Sequence, residues 1–212
     1  MRKLPVYLLL DTSGSMQGEP IDSVRQGIQT LVAALRQDPH ALESAYLSVI
    51  TFSEKAQQLV ALTELGQFEM PPIAASGTTS LGAALSLLAE RVGAEVAKTT
   101  TEQKGDWKPI VFLMTDGEST DDLAEGIAAI KRGTIGTLIA CAAGPNANVT
   151  QLQRLTESVV RLDTADANAI RAFFKWVSAS IATTSQKVDL TKKDVAGLSD
   201  LPPPPPEINI VA

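Results

Sequence analysis

Cysteine and histidine are almost missing from this 212-residue chain, which carries one of each, Cys141 and His40. A lone cysteine excludes an internal disulfide and any cysteine-rich zinc site, and suits a reducing compartment, so a cytoplasmic location is expected. A lone histidine leaves a Ser–His–Asp hydrolase dependent on His40, which lies in "QDPHALES", a stretch that reads as a surface loop. Long apolar runs are lacking too. No window approaches the ~20 residues of a membrane span. The opening apolar run Val6 to Leu10 is about half the ~10 residues of a secretory h-region, and Asp11 interrupts it. No contact with a membrane is expected. Positive charge is not in excess either: 18 basic against 24 acidic side chains give a net charge of −6. That balance opposes contact with a polyphosphate backbone, so nucleic acid is not an expected partner. No G-x-G-x-x-G or Walker A segment is present, and nucleotide binding has no signal.

What remains is an ordinary globular composition with a regular alternation of elements. Val6 to Leu10 is a short continuous apolar run, as expected of a strand covered on both faces. Pro20 stands where a first helical turn would begin, and Ile21, Val24, Ile28, Leu31 and Leu35 follow at spacings of three and four, predicting an amphipathic helix that ends near Asp38-Pro39. "AYLSVITFS" and "AQQLVAL", joined by Ser53-Glu54-Lys55, read as a hairpin that supplies an antiparallel edge. Leu81, Leu85, Leu88 and Val92 predict a second helix. Residues 97–108 read as a polar surface loop. "PIVFLMTDG" and "IGTLIACAAG" are two further buried strands, with a helix through Leu123, Ile127 and Ile130 between them. A short strand at Val159 to Leu162 and a helix through Ile170, Phe173, Phe174, Val177 and Ile181 complete the pattern. Such alternation predicts an α/β fold: a doubly wound, mostly parallel central sheet with one antiparallel edge strand and helices on both faces. One domain over residues 1–182 is expected. Beyond it, residues 183–212 read as a flexible tail whose prolines, Pro202 to Pro206, favour an extended polyproline II path.

In open α/β sheets the ligand crevice lies beyond the carboxyl ends of the strands. Two of the buried strands end there in an aspartate, Asp11 and Asp116, and the hydroxyl cluster "SGTTS" precedes a helix. Oxygen donors without a histidine or cysteine set suit a hard cation, Mg²⁺ or Mn²⁺. In a locally extended loop the alternate positions Asp11, Ser13 and Ser15 project to one side. Two carboxylates balance a divalent charge without filling the roughly six positions of an octahedral ion. Glu118, Ser119 and Thr120 either support such a site from behind or cap the following helix. Cys141 sits inside an apolar strand and reads as core.

"DTSGSM" resembles the Asp-x-Ser-x-Ser signature of von Willebrand factor type A domains, where it opens the metal-ion-dependent adhesion site. The likeness continues through "GTTSLGAAL" and the aspartate of "TDG", and covers approximately residues 4–182. It implies a metal site made of Asp11, Ser13, Ser15, Thr79 and Asp116. Thr79 is taken over Thr78 because in the family the ligand stands six residues before an apolar helix position, here Leu85. "PVYLLLDTSGSMQGEPI" is most similar to the bacterial TerY-like group of tellurium resistance operons, in which the domain is thought to work beside a protein kinase and a phosphatase. The cysteine-rich module of some of those relatives cannot be built with one cysteine.

The resemblance implies a non-enzymatic adaptor that engages an acidic residue of a partner protein, a kinase or phosphatase of the same operon among the candidates, within a tellurite-response, stress-response or phosphorylation-linked complex. The competing expectation is a metal-dependent hydrolase or phosphatase using the same oxygens. Some α/β phosphatases carry Asp-x-Asp at such a strand end, whereas Ser13 fills the second position here.

Overall fold

The computed structural model describes residues 2–191 and 197–211. Seven strands form one sheet: β1 (Leu4–Asp11), β2 (Ala45–Phe52), β3 (Ala56–Glu64), β4 (Ile110–Thr115), β5 (Thr137–Ala143), β6 (Val159–Leu162) and β7 (Asn209–Val211), in the order β3-β2-β1-β4-β5-β6-β7. Among the described residues six α-helices surround it: α1 (Glu19–Leu35), α2 (Pro39–Ser44), α3 (Leu81–Glu95), α4 (Ala124–Arg132), α5 (Val149–Gln153) and α6 (Ala167–Thr191). The pairs β1/β2, β1/β4, β4/β5 and β5/β6 are parallel, and the two margins, β2/β3 and β6/β7, are antiparallel. This is the α/β sheet that the alternation predicts.

The pleat divides β1 between two cores. Val6, Leu8 and Leu10 face the layer containing Ile28 and Leu31 of α1 and Phe173, Phe174 and Val177 of α6. Tyr7 and Leu9 face Leu85 and Leu88 of α3 and Ile127 of α4. Every residue of β1 is buried, which is why its sequence is apolar without alternation. One polar group on the α3 side is satisfied within the core: the Tyr7 hydroxyl donates to Glu95 Oε2 at 2.9 Å, and Gln58 donates to Glu95 Oε1 at 2.9 Å. Burial first, and the Glu95 carboxylate second, push the Tyr7 phenol far above its ordinary range.

Three differences from the sequence reading stand out. His40 is not on a loop; Pro39 opens the short helix α2, with Asp38 Oδ1 accepting the Ala41 amide at 2.9 Å as its cap. Proline is compatible with the first turn, where its missing N–H leaves no bond unmade. Secondly, the sheet has two antiparallel margins instead of one. Thirdly, the segment expected to be a flexible tail from residue 183 is largely built into the fold. Helix α6 continues to Thr191, with Val188 buried in the core; Leu201 and Ile208 are buried, and β7 joins the sheet. Residues 192–196 of that segment lie outside the described residues. The Trp176 indole N–H donates to the Pro202 carbonyl at 2.9 Å, laying the proline run along α6. Buried anchors on both sides of the prolines explain why this stretch follows the domain surface.

Candidate metal centre

Parallel pairing places the site. Because β1 lies between β2 and β4, the chain leaves its carboxyl end toward opposite sides, and the crevice opens at Asp11. In the β1/β4 register Leu10 faces Met114. Asp11 is therefore level with Thr115, and the Thr115 hydroxyl donates to Asp11 Oδ2 at 2.6 Å. The Ser13 amide donates to Asp11 Oδ1 at 2.8 Å. Both oxygens of a carboxylate that is 1% exposed are thus held by the protein.

The residues after Asp11 do not run extended. Gly14–Met16 forms a turn of 3-10 helix, and that turn brings the Ser13 and Ser15 hydroxyls to 3.0 Å. Ser15 donates its one proton to Asp116 Oδ1 at 2.8 Å, so Ser13 must donate to Ser15. Asp11, Ser13, Ser15 and Asp116 are accordingly brought together, joined through hydrogen bonds across two strand ends. Ser13 is buried and Ser15 exposed, so the cluster opens to solvent on the Ser15 side.

Thr79 reaches the same rim. It is buried whereas Thr78 is exposed, and its Oγ1 lies 3.9 Å from where a side chain on Gly117 would begin. Its loop is fastened to the first one by two main-chain bonds, Gly14 N–H to the Gly77 carbonyl at 2.9 Å and Ser76 N–H to the Thr12 carbonyl at 2.8 Å. Gly77 has φ of +75°, a conformation that favours glycine. Ser80, the residue preceding α3, makes no side-chain cap. Thr79 and Ser80 are therefore not the caps of that helix, and Ser119 and Thr120 do not cap α4: the Thr120 hydroxyl donates to the Thr79 carbonyl at 3.1 Å, and the Ser119 hydroxyl gives its one proton to Asp121 Oδ1 at 2.6 Å.

The electrostatics fit a cation. Burial pushes the Asp11 carboxyl above its ordinary range, against the hydrogen bonds from Ser13 and Thr115. Burial likewise raises Asp116, against its bond from Ser15 and with the help of the Asp11 charge. Two desolvated carboxylates that disfavour each other's charge make a site where a divalent ion is welcome. The donors are oxygens alone, as hard cations prefer. The Ser13, Ser15 and Asp116 oxygens are hydrogen-bonded neighbours at 3.0 and 2.8 Å, close enough together for one small cation to touch adjacent ones. Among the described residues there is no group of three or more His, Cys, Asp or Glu side chains placed to hold a metal, so the serine and threonine oxygens are essential to such a site. Thr115 and Thr12, the second donating to the Phe52 carbonyl at 3.1 Å, are supports that the sequence reading missed. A hydroxyl ending a buried apolar strand was the available signal for Thr115.

The family model of the von Willebrand factor type A domain matches residues 6–175, and the chain belongs to that family. Domains of this family commonly mediate metal-dependent protein interactions through a metal-ion-dependent adhesion site (MIDAS). The uncharacterized protein sll0103 of Synechocystis sp. is 28% identical over 149 residues, which span 64% of this chain and 30% of that protein. Proximal thread matrix protein 1 from the mussel byssus has a TM-score of 0.63 at 20% identity, over 85% of this chain and 48% of that one. A structure of the same mussel protein with a zinc-occupied MIDAS motif gives 0.59 at 16%, over 84% and 45%. The von Willebrand factor type A protein of Catenulispora acidiphila gives 0.59 at 19%, over 86% and 43%. These likenesses establish the fold. The chain spans less than half the length of each of these relatives. Among the described residues no helix is long and apolar enough to cross a membrane.

Proposed function

We propose that this chain is a metal-dependent protein-interaction module in which Asp11, Ser13, Ser15, Thr79 and Asp116 hold Mg²⁺, or Mn²⁺, and present it to an acidic side chain of a partner. The observation that carries this reading is the hydrogen-bonded run Ser13–Ser15–Asp116, which gathers oxygens from two strand ends beside a buried second carboxylate. The ion supplies the attraction for a carboxylate that an acidic protein otherwise lacks. Asp11, with both oxygens already held, acts through water or by charge, while Ser15 and Asp116 stand at the open side. The zinc in the MIDAS motif of the mussel protein supports a divalent ion at the corresponding motif here.

The same reading makes the protein an adaptor and not an enzyme. The single histidine lies on α2, before the amino end of β2 and so at the opposite end of the sheet from Asp11, which leaves no imidazole base at the site. The likeness of the first motif to the tellurium resistance group supports a cytosolic place in a stress-response or phosphorylation-linked complex, with a kinase or phosphatase as partner.

Calorimetric titration of the purified chain with Mg²⁺ and Mn²⁺, followed by capture of partners with and without chelator, tests this. Ser15→Ala and Asp116→Ala should each weaken metal binding by about 10- to 100-fold and lose the captured partner. Partner recovery that is indifferent to chelator removes the metal from the mechanism. Hydrolysis of a generic phosphoester that Asp11→Asn abolishes would replace the adaptor with a hydrolase.

A further inference from the structure

We infer that Asp121 is a positioning residue that locks the Asp116 loop to the Thr79 loop by capping helix α3 from outside its own segment; the inference rests on the proposed metal site. Helix α3 begins without a cap of its own, and the amides of its first turn need acceptors. Asp121, 39 residues away in the chain, supplies them: its Oδ1 accepts the Gly82 amide and its Oδ2 the Ala83 amide, each at 2.8 Å. A carboxylate is the favourable group there, since it meets two orphan donors and the positive end of the helix dipole together. Ser119 donates to Asp121 Oδ1 at 2.6 Å, which fixes the carboxylate in that pose.

The same stretch grips Thr79 directly. The Thr120 amide donates to the Thr79 carbonyl at 2.8 Å, and the Thr79 amide donates back to Thr120 Oγ1 at 3.3 Å. Asp116 is four residues before Thr120 and Thr79 is three before Gly82, so the latch spans the two candidate ligands that come from separate elements. Close approach is built into the backbone. A Cβ on Gly82 would stand 2.2 Å from the Asp122 carbonyl oxygen, and one on Gly126 would stand 2.6 Å from the Gly82 carbonyl oxygen. Gly82 thus makes the notch in which the loop carrying Asp121 sits on α3, and Gly126 lets α4 press against the same turn. The Asp121 carboxylate bonds to Gly82, Ala83 and Ser119, none of them a candidate ligand; it acts through the loops it joins.

The experiment compares Asp121→Ala and Asp121→Asn with Asp38→Ala, which removes the cap of α2 far from the site. Amide exchange is followed in the metal-free proteins, and Mg²⁺ affinity is followed by calorimetry. Asp121→Ala should speed exchange at Gly82, Ala83 and Thr120 by about five- to tenfold and weaken Mg²⁺ by about tenfold or more. Asp121→Asn, which keeps one acceptor oxygen, should fall between Ala and wild type on both readouts. Asp38→Ala should change neither at these positions. Unchanged exchange at Thr120 in Asp121→Ala overturns the latch. Unchanged Mg²⁺ affinity in that variant, with the wild type binding, overturns its role at the site. A wild type that binds no Mg²⁺ defeats the functional reading instead, and the exchange data alone then decide the latch.

Discussion

Thr115 and Asp11 are joined by a 2.6 Å hydrogen bond between neighbouring parallel strands, the hydroxyl donating to the inner carboxylate oxygen. Thr115 is 2% exposed, so no solvent replaces it when it is lost. Thr115→Val keeps the shape of the strand and leaves Asp11 Oδ2 without that donor. The expected cost is about 1–3 kcal/mol, read as a fall in the midpoint of chemical denaturation. A Thr115→Val protein as stable as wild type would show that Asp11 is held by other means.

Raised carboxyls at Asp11 and Asp116 give the metal-free protein a defined response to pH. The folded state binds protons at these groups more tightly than the unfolded chain does. Their contribution to stability is fully present in acid, below the ordinary carboxylate value, and is lost as pH rises through the raised native values. In chelator near neutral pH, Asp11→Asn should therefore melt at a higher temperature than wild type, and the gap should close on acidification. A divalent ion should reverse the order at neutral pH by stabilising only the protein that keeps its charge. An Asp11→Asn protein that melts lower than wild type in chelator contradicts this assignment.

Gly27 is the point where α1 meets α6. A Cβ there would lie 2.3 Å from Phe174 Cδ2, far inside contact distance, in a core where Phe173 and Phe174 stack edge to face at 5.6 Å. Gly27→Ala gains helix propensity but forces Phe174 aside, and the net expectation is a loss of about 1–3 kcal/mol. Thermal unfolding measures it; a neutral or stabilising substitution would mean that the α1/α6 seam yields easily.

Trp176 tests the attachment of the carboxyl-terminal segment. Trp176→Phe preserves an aromatic ring against Phe112 and Phe173 and removes the N–H that holds the Pro202 carbonyl. A loss of about 0.5–1.5 kcal/mol is expected, together with faster amide exchange in β7 and faster proteolysis after residue 200. Unchanged exchange in β7 would assign the attachment to Leu201, Ile208 and the Lys187–Asp200 ion pair instead.

The parts of the fold that were legible in the sequence carry a distinct apolar pattern, a short continuous run in the buried strands and spacings of three and four in the helices. The strand before Asp11 and the strand before Asp116 could be placed because burial on both faces demands continuous apolar residues, and the polar residues that follow mark the rim. The spacing of Ser13 and Ser15 was read in the right place with the wrong backbone: a 3-10 turn, not an extended loop, converges them. Helix α2 was hidden because Pro39 reads equally as a stop and as a first turn. Strand β7 was hidden because three residues after five prolines carry too little pattern, and their pairing depends on an edge that only tertiary structure exposes. Asp121 was illegible for a related reason, since its partners lie 39 and 38 residues away and a local motif does not report them.

The two margins of the sheet have a consequence for how copies of the protein meet. On one side β3 pairs with β2 through register shifts between Leu47 and Val49 and between Val49 and Ile50; on the other β7 is only three residues long. The nine-residue β3 is bent by those shifts and β7 is short, so neither margin is a long regular ladder of free amides and carbonyls on which another chain can template itself. In a crowded solution, growth of fibres through this sheet would therefore have to begin from a bent edge or from one of three residues.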